Sequence, residues 1–289
     1  MLLRFLRIVA LALSAALAIL SIVSAIEVTS FDVAALERSV PRETALMIER
    51  GDEARSEHRA FRVDQRWIPY PRISPLLRRA VLVAEDDAFF THGGLDWNEI
   101  RASARRDLEA HRVVRGGSTI TQQLAKNLYL SSERSLTRKL KEVFLAFRLE
   151  RALSKRRIFE LYLNEIEWGD GVFGAEAAAE RWFGVPASAL NARQAALLAA
   201  VIVNPRRYSP LDPAPRIERR VRMIASRLHR RGALDDAQYR LAIGEGPPPP
   251  ESLWVWLRGG GQDSRGDGTS EPAAPGTADS TSAPPDSTS

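Results

Sequence analysis

Val81 to Gly94 reads VLVAEDDAFFTHGG, with one acid, Glu85, at the end of an apolar run. Upstream, Ser74 is placed as a helix N-cap and Pro75 at the first helical position, where its missing N–H costs nothing. Counting in fours from that start puts Leu77, Val81 and Glu85 on one ridge of the predicted helix. An acid that continues an apolar ridge is expected to be partly buried. Burial disfavours the charged form and raises a carboxyl from its reference pKa of about 4.3 towards the range where a general base works. Asp86, Asp87, Phe89, His92, Gly93 and Gly94 follow. The same fourteen residues also read as a helix end with an acidic last turn and a glycine stop. The residues after position 115 bear on which reading holds.

Arg115 to Leu130 reads RGGSTITQQLAKNLYL. Gly116 and Gly117 break any preceding helix, and Ser118 or Thr119 caps the next one. In that helix Ile120, Leu124 and Leu128 form an apolar ridge, while Thr119, Gln123, Lys126 and Asn127 form a separate face. A solvated face usually mixes charges of both signs, yet this one carries a single ammonium. Amides, a hydroxyl and one cation suit an oxygen-rich ligand such as a sugar or phosphate. An amide-rich helix–helix contact is the alternative.

Ser131 to Leu153 is a further helix, with Leu136, Leu140, Phe144 and Phe147 expected as its core stripe. Glu142 stands four residues after Arg138 and three after Lys139, the spacing of an ordinary surface ion pair. It also reads as a second functional carboxylate among Arg134, Arg138, Lys139 and Lys141, cations suited to neutralising a pyrophosphate. Residues 155–184 read as helix, glycine break, helix, with Gly169, Gly171 and Gly174 marking a loop. Glu165, Glu167 and Asp170 surround that loop, but no histidine accompanies them, which argues against a transition-metal site. Asn191 opens the last apolar helix, Ala195 to Val203, and Asn204-Pro205 ends it. Ile68 to Ser74 is an extended, proline-pinned approach to the Glu85 helix.

The two ends differ from this middle. Ile8 to Ile26 is nineteen residues without a charge, about enough to cross a hydrocarbon layer of roughly 30 Å as a helix. Arg4 and Arg7 precede it and Glu27, Asp32 and Glu37 follow, which predicts a cytoplasmic N-terminus. Val23-Ser24-Ala25 also passes as a signal-peptide cleavage site, but the length favours an uncleaved anchor. From Gly244 onward Pro, Gly, Ser, Thr and acids dominate, and such a segment is expected to be disordered. Three zones follow: 1–33 as N-terminal stub and anchor, 34–243 as a mainly helical domain, and 244–289 as a tail. The formal charge of +5 conceals an acidic tail and a basic remainder, which points to anionic lipid or an anionic substrate. Nucleic acid is not expected, because the predicted topology exports the domain. The chain has no cysteine, so disulfides, cysteine–zinc sites and thiol catalysis are excluded.

Taken together, these blocks resemble the peptidoglycan glycosyltransferase family (glycosyltransferase family 51), lysozyme-like membrane enzymes that polymerise lipid II. AEDDAFFTHGG resembles the first motif, an EDxxFxxHxG pattern, and RGGSTITQQLAKN is similar to the second, GGSTITQQxxKN. RSLTRKLKEVFLAFRLE, RIFELYLNEIEWGDGVFG and AALLAAVIVNPRRYSP resemble the third, fourth and fifth, in family order. The resemblance implies an all-α, mainly helical, lysozyme-like fold with one N-terminal transmembrane helix. It also implies the monofunctional form, without a transpeptidase domain, in the cytoplasmic (inner) membrane with its catalytic domain outside.

By the same resemblance Glu85 is the general base and Glu142 assists departure of a lipid pyrophosphate. Lys126, Arg134, Arg138 and Lys139 hold phosphates, while Asp86, Phe89, His92, Ser118, Thr119, Gln123 and Asn127 belong to the substrate site. No tightly bound cofactor is implied; Mg2+ or Mn2+ near Glu142 is the candidate cation. The implied partners are lipid II and the growing glycan strand, the lipid bilayer, and cell-division or cell-wall synthesis proteins. One departure from the family lies between the first two motifs. IRASARRDLEAHRVVR is basic, which favours headgroup contact over the membrane insertion of a hydrophobic segment. A lytic enzyme of the same fold would not need the cationic group, and a membrane-tethered scaffold would need neither carboxylate.

Overall fold

The computed structural model describes residues 1–110, 117–133 and 135–245. Arg134, residues 111–116 and the tail from position 246 lie outside the described residues, as do the side chains of Leu2, Ala104 and 106–110.

The uncharged run folds as helix α1, Leu2–Glu27. The apolar stretch Leu3–Ser30 spans 28 residues, about 42 Å of helix, which is ample for a bilayer. Among the described residues no other helix has this length and apolarity, and it fits a membrane-anchored protein. Its C-terminal end meets the domain, where Lys141 Nζ pairs with Glu27 at 2.8 Å.

Helix α2, Ala45–Ser56, is capped by Thr44, which accepts from the Met47 amide. Strand β1, Asp64–Gln65, follows. Helix α3, Pro75–Glu85, starts as its sequence dictates, with Ser74 accepting from the Leu76 amide and Pro75 in the first turn. Then come α4, Trp97–Ala110, α5, Ile120–Tyr129, α6, Leu136–Ala152, and α7, Lys155–Glu165. Strands β2, Glu167–Gly169, and β3, Val172–Phe173, precede α8, Ala175–Phe183. The chain continues through α9, Ala192–Val201, α10, Pro215–Arg230, and α11, Asp236–Ala242.

The core forms around α9. Its alanines and leucines are buried on nearly every side, and their small size lets α3, α10 and α11 approach closely. A second layer pairs α5 with α6 and α7, while α1 lies on α6. The extended approach to α3 is fixed by Asn164 of α7. Its side chain accepts from the Ile68 amide and donates to the Ile68 carbonyl, both at 3.0 Å.

Three features differ from the sequence expectation. The glycine loop after α7 is a small sheet of order β1-β3-β2, with β1 parallel and β2 antiparallel to β3. Strands of two and three residues are too short to display alternation. Gly174 closes the hairpin at φ +83°, and a Cβ there would stand 2.7 Å from the Asn164 carbonyl oxygen.

In α6 the buried ridge is Glu142, Leu145, Ala146 and Leu149, not the expected stripe. Leu136 is 61% exposed and Phe147 37%. This helix has apolar residues on more than one face, so its neighbours decide which face is covered. Finally, α9 is not the last helix. The arginine-rich α10 buries Ile217, Val221, Ile224, Ala225 and Leu228, an amphipathic stripe set among enough charge to disguise it.

Candidate active site

Glu85 is the last residue of α3, and its position is fixed from two sides. Within α3 it follows Leu77 and Val81, both fully buried, so its side chain is only 12% exposed. Directly after it, Asp86 leaves the helix and accepts from the backbone amide of Ile120 at 2.9 Å. One side chain thereby ties the end of α3 to the start of α5. His92 Nε2 lies 2.9 Å from Asp86 Oδ1, and Phe89 is buried beneath Lys155, whose Nζ lies 4.3 Å from the ring centre.

Gly117 supplies the turn into α5, sitting at φ +98°, a conformation favouring glycine. Thr119, not Ser118, is the cap, in a reciprocal capping box with Gln122. The Thr119 hydroxyl also donates to the Gly94 carbonyl at 2.6 Å. This geometry turns Gln123 towards α3, where its Nε2 donates to Glu85 Oε2 at 3.1 Å. The Gln123 carbonyl accepts from the Tyr162 hydroxyl at 2.9 Å, which fixes which end of the amide faces the acid.

The other Glu85 oxygen, Oε1, accepts from Arg220 of α10. Sequence reasoning did not single out this arginine. A signal exists: Arg220 and Arg227 are seven residues apart, at the edge of the apolar stripe of α10. Burial pushes the Glu85 carboxyl up, opposed by the Arg220 charge and by the hydrogen bonds of Gln123 and Arg220. Burial likewise raises Asp86, against His92 and the Ile120 amide.

Glu85, Asp86, Ser118, Thr119, Gln123 and Lys126 line one cavity of about 910 Å³. Gln123 and Lys126 also line an adjoining recess of about 370 Å³ with Asn127. Phe89 and His92 line neither and brace the loop behind the wall. Lys126 is pushed down in pKa by burial, with Glu142 acting the other way and Arg138, Lys139 and Arg50 adding to the decrease.

Glu142 is buried. Its Oε2 accepts from Arg138 at 2.9 Å and its Oε1 from Lys139, and Lys139 also reaches the Ser118 hydroxyl at 3.2 Å. The chain therefore connects Glu142 to the cavity wall through a cation. Since both Glu142 oxygens already hold cationic donors, this set alone does not offer the several oxygen ligands that a divalent cation takes. Arg134, expected beside them, lies outside the described residues.

The family model for transglycosylases matches residues 53–229, a span containing both carboxylates and every cavity residue named above. The chain belongs to the transglycosylase family. It is 47% identical over 188 residues to the biosynthetic peptidoglycan transglycosylase of Nitrosomonas eutropha, covering 65% of this chain and 77% of the relative. Against the protein of that name from Laribacter hongkongensis it is 47% identical over 189 residues, 65% of this chain and 83% of the other. Against that from Methylobacillus flagellatus it is 52% identical over 162 residues, 56% and 71% of the two chains. This transglycosylase is a glycosyltransferase of peptidoglycan biosynthesis. Its helical, lysozyme-like domain places a partly buried carboxylate and a lysine in one cavity, a pairing suited to proton abstraction beside a departing anion.

Proposed function

We propose that this transglycosylase polymerises lipid II into linear glycan strands by inverting transfer, releasing undecaprenyl pyrophosphate. The observation carrying this reading is the shared cavity, with Glu85 on one wall and Lys126 on another, backed by the Glu142 cation group. Glu85 takes the proton from the acceptor sugar hydroxyl. The resulting oxygen attacks the anomeric carbon of the donor strand, and the bond from that carbon to the pyrophosphate oxygen breaks. Attack opposite the leaving group converts an α-linked substrate into a β-linked glycan.

Lys126, Arg138 and Lys139 offset the charge that accumulates on the leaving group, with Arg134 joining them by family resemblance. Glu142 holds Arg138 and Lys139 in place and thereby assists departure. Ser118, Thr119, Gln123 and Asn127 line the substrate groove. Among the described residues, those around Glu142 supply no complete divalent site, and no step here is routed through Mg2+ or Mn2+.

Residues 34–243 form the catalytic domain on the periplasmic face of the inner membrane, held by a single α1 span. The arginines before that span, Arg4 and Arg7, support this orientation. Lipid II, the growing strand and the bilayer are then the direct partners, and cell-wall synthesis proteins the natural neighbours.

The test is incubation of the full-length protein in detergent with lipid II, followed by chromatography. Glycan polymer and free polyprenyl pyrophosphate are expected. Cleavage of added glycan without polymer would instead select a lytic enzyme.

A further inference from the structure

Arg220 makes two contacts with the end of α3: one to Glu85 Oε1 and one, at 3.1 Å, to the Ala84 carbonyl. The guanidinium thus spans both the carboxylate and the partial negative charge of the helix C-terminus. Seven residues on, Arg227 reaches the Val83 carbonyl at 3.4 Å, so α10 docks two cations on the same helix end. We propose that Arg220 is a positioning residue for the Glu85 carboxylate, holding it in its charged form and aiming it into the cavity.

The surroundings leave this task to Arg220. From the turn directly after α3, Asp86 adds a like charge and Asp87 is turned to Arg231. From α5, Gln123 gives a neutral hydrogen bond, and Lys126 lines the same cavity. From α7, the Tyr162 hydroxyl is neutral and engaged with Gln123. Asp96 and Glu99 also line the cavity, and Arg227 lines it while bonding to the Val83 carbonyl. Arg220 is accordingly the cation bonded to Glu85 among the described residues. A carboxylate oxygen accepts two hydrogen bonds, so each Glu85 oxygen keeps a lone pair for the substrate proton.

The inference rests on Glu85 as base, and two measurements separate the two ideas. The first needs no substrate: the Glu85 carboxyl is titrated by carbon NMR in the full-length protein in detergent, for parent, Arg220→Gln and Arg220→Lys. Arg220→Gln is expected to raise the midpoint by at least about one pH unit, as loss of an adjacent opposite charge does. Arg220→Lys should restore most of that shift. An unmoved midpoint in Arg220→Gln would overturn the proposal.

The second measurement is the pH profile of kcat/KM for lipid II polymerisation. Its acidic limb should move up with the titration, with the rate recovering at alkaline pH. A uniform loss at every pH would mark a merely structural arginine. If the midpoint moves but the limb does not, Arg220 controls Glu85 while Glu85 is not the base, and the catalytic half fails with the base assignment.

Discussion

Gln123 donates its amide to Glu85 Oε2 at 3.1 Å, and the orientation of that amide is fixed by a residue that never touches the acid. The Tyr162 hydroxyl, 2.9 Å from the Gln123 carbonyl, is a donor, so it selects the rotamer that presents –NH2 to Glu85. Tyr162 is fully buried, and burial holds its phenol well above its ordinary pKa, so the proton stays available. Tyr162→Phe leaves a buried carbonyl without its donor, at a cost of about 1–3 kcal/mol. The expected result is a lower melting temperature together with a several-fold loss of turnover. A turnover loss without any change in melting would contradict the linkage.

Glu85→Gln keeps the size of the side chain and removes the acceptor of the proton. General-base catalysis contributes about a hundredfold to ten-thousandfold. Polymerisation of lipid II should therefore fall by at least a hundredfold while binding, followed by fluorescence of a labelled substrate, persists. Near-parental polymerisation would show that Glu85 is only the acidic end of α3.

Lys126→Ala should weaken binding of a pyrophosphate-bearing lipid far more than that of a phosphate-free glycan, because the lost contact is a charge-assisted one. Burial lowers the pKa of this lysine, and a bound anion raises it. Pyrophosphate affinity should then decline as pH rises through the lowered pKa, a slope that calorimetry detects and that Lys126→Ala abolishes. Equal losses for both ligands would remove Lys126 from the phosphate site.

Glu142→Gln tests the second carboxylate. Arg138 and Lys139 would each lose an ionic partner near a buried position, so the melting temperature should fall along with turnover. The catalytic part should vary with the leaving group and disappear when a better one is supplied. A deficit that is the same for every leaving group would reduce Glu142 to a structural acid.

Glu165 is fully buried and is raised by burial from 4.5 to about 7, against opposing effects of Gln65 and Arg157. The folded state therefore binds its proton more tightly than the unfolded state. This contribution to stability is full below the unfolded pKa and is lost as pH rises from about 4.5 to about 7. At roughly 1.4 kcal/mol per pH unit the change amounts to about 3 kcal/mol at most. Glu165→Gln should lie close to the parent in melting temperature at pH 4.5 and above it at pH 8. Parallel melting curves for the two proteins across that range would count against it.

Much of the helical scaffold was legible in local pattern. Ser74-Pro75 and Ser118-Thr119 mark starts of helices because the groups that satisfy the first amides are near neighbours in the chain, and the structure selects Thr119 of the second pair. The ridges Leu77–Val81–Glu85 and Ile120–Leu124–Leu128 were readable because helical spacing alone puts those residues on one side. Glu85 stands out as an acid at the end of such a ridge, and the motif blocks from Glu85 to Pro210 identify the family. Where two faces of a helix are both apolar, spacing is silent, and α6 buries Glu142 and Leu145 in place of the stripe through Leu136 and Phe147.

What only the tertiary structure decided are contacts between distant residues. Arg220 is 135 positions from Glu85, and Tyr162 is 39 from Gln123. No periodicity links such pairs, because they meet only once α10 packs on α3 and α7 on α5. The short sheet is likewise a product of pairing between β1 and β3, more than a hundred residues apart. Sequence determined which side chains could do chemistry. The packing of α3, α5, α7 and α10 decided which of them face Glu85, because burial and electrostatics depend on neighbours in space.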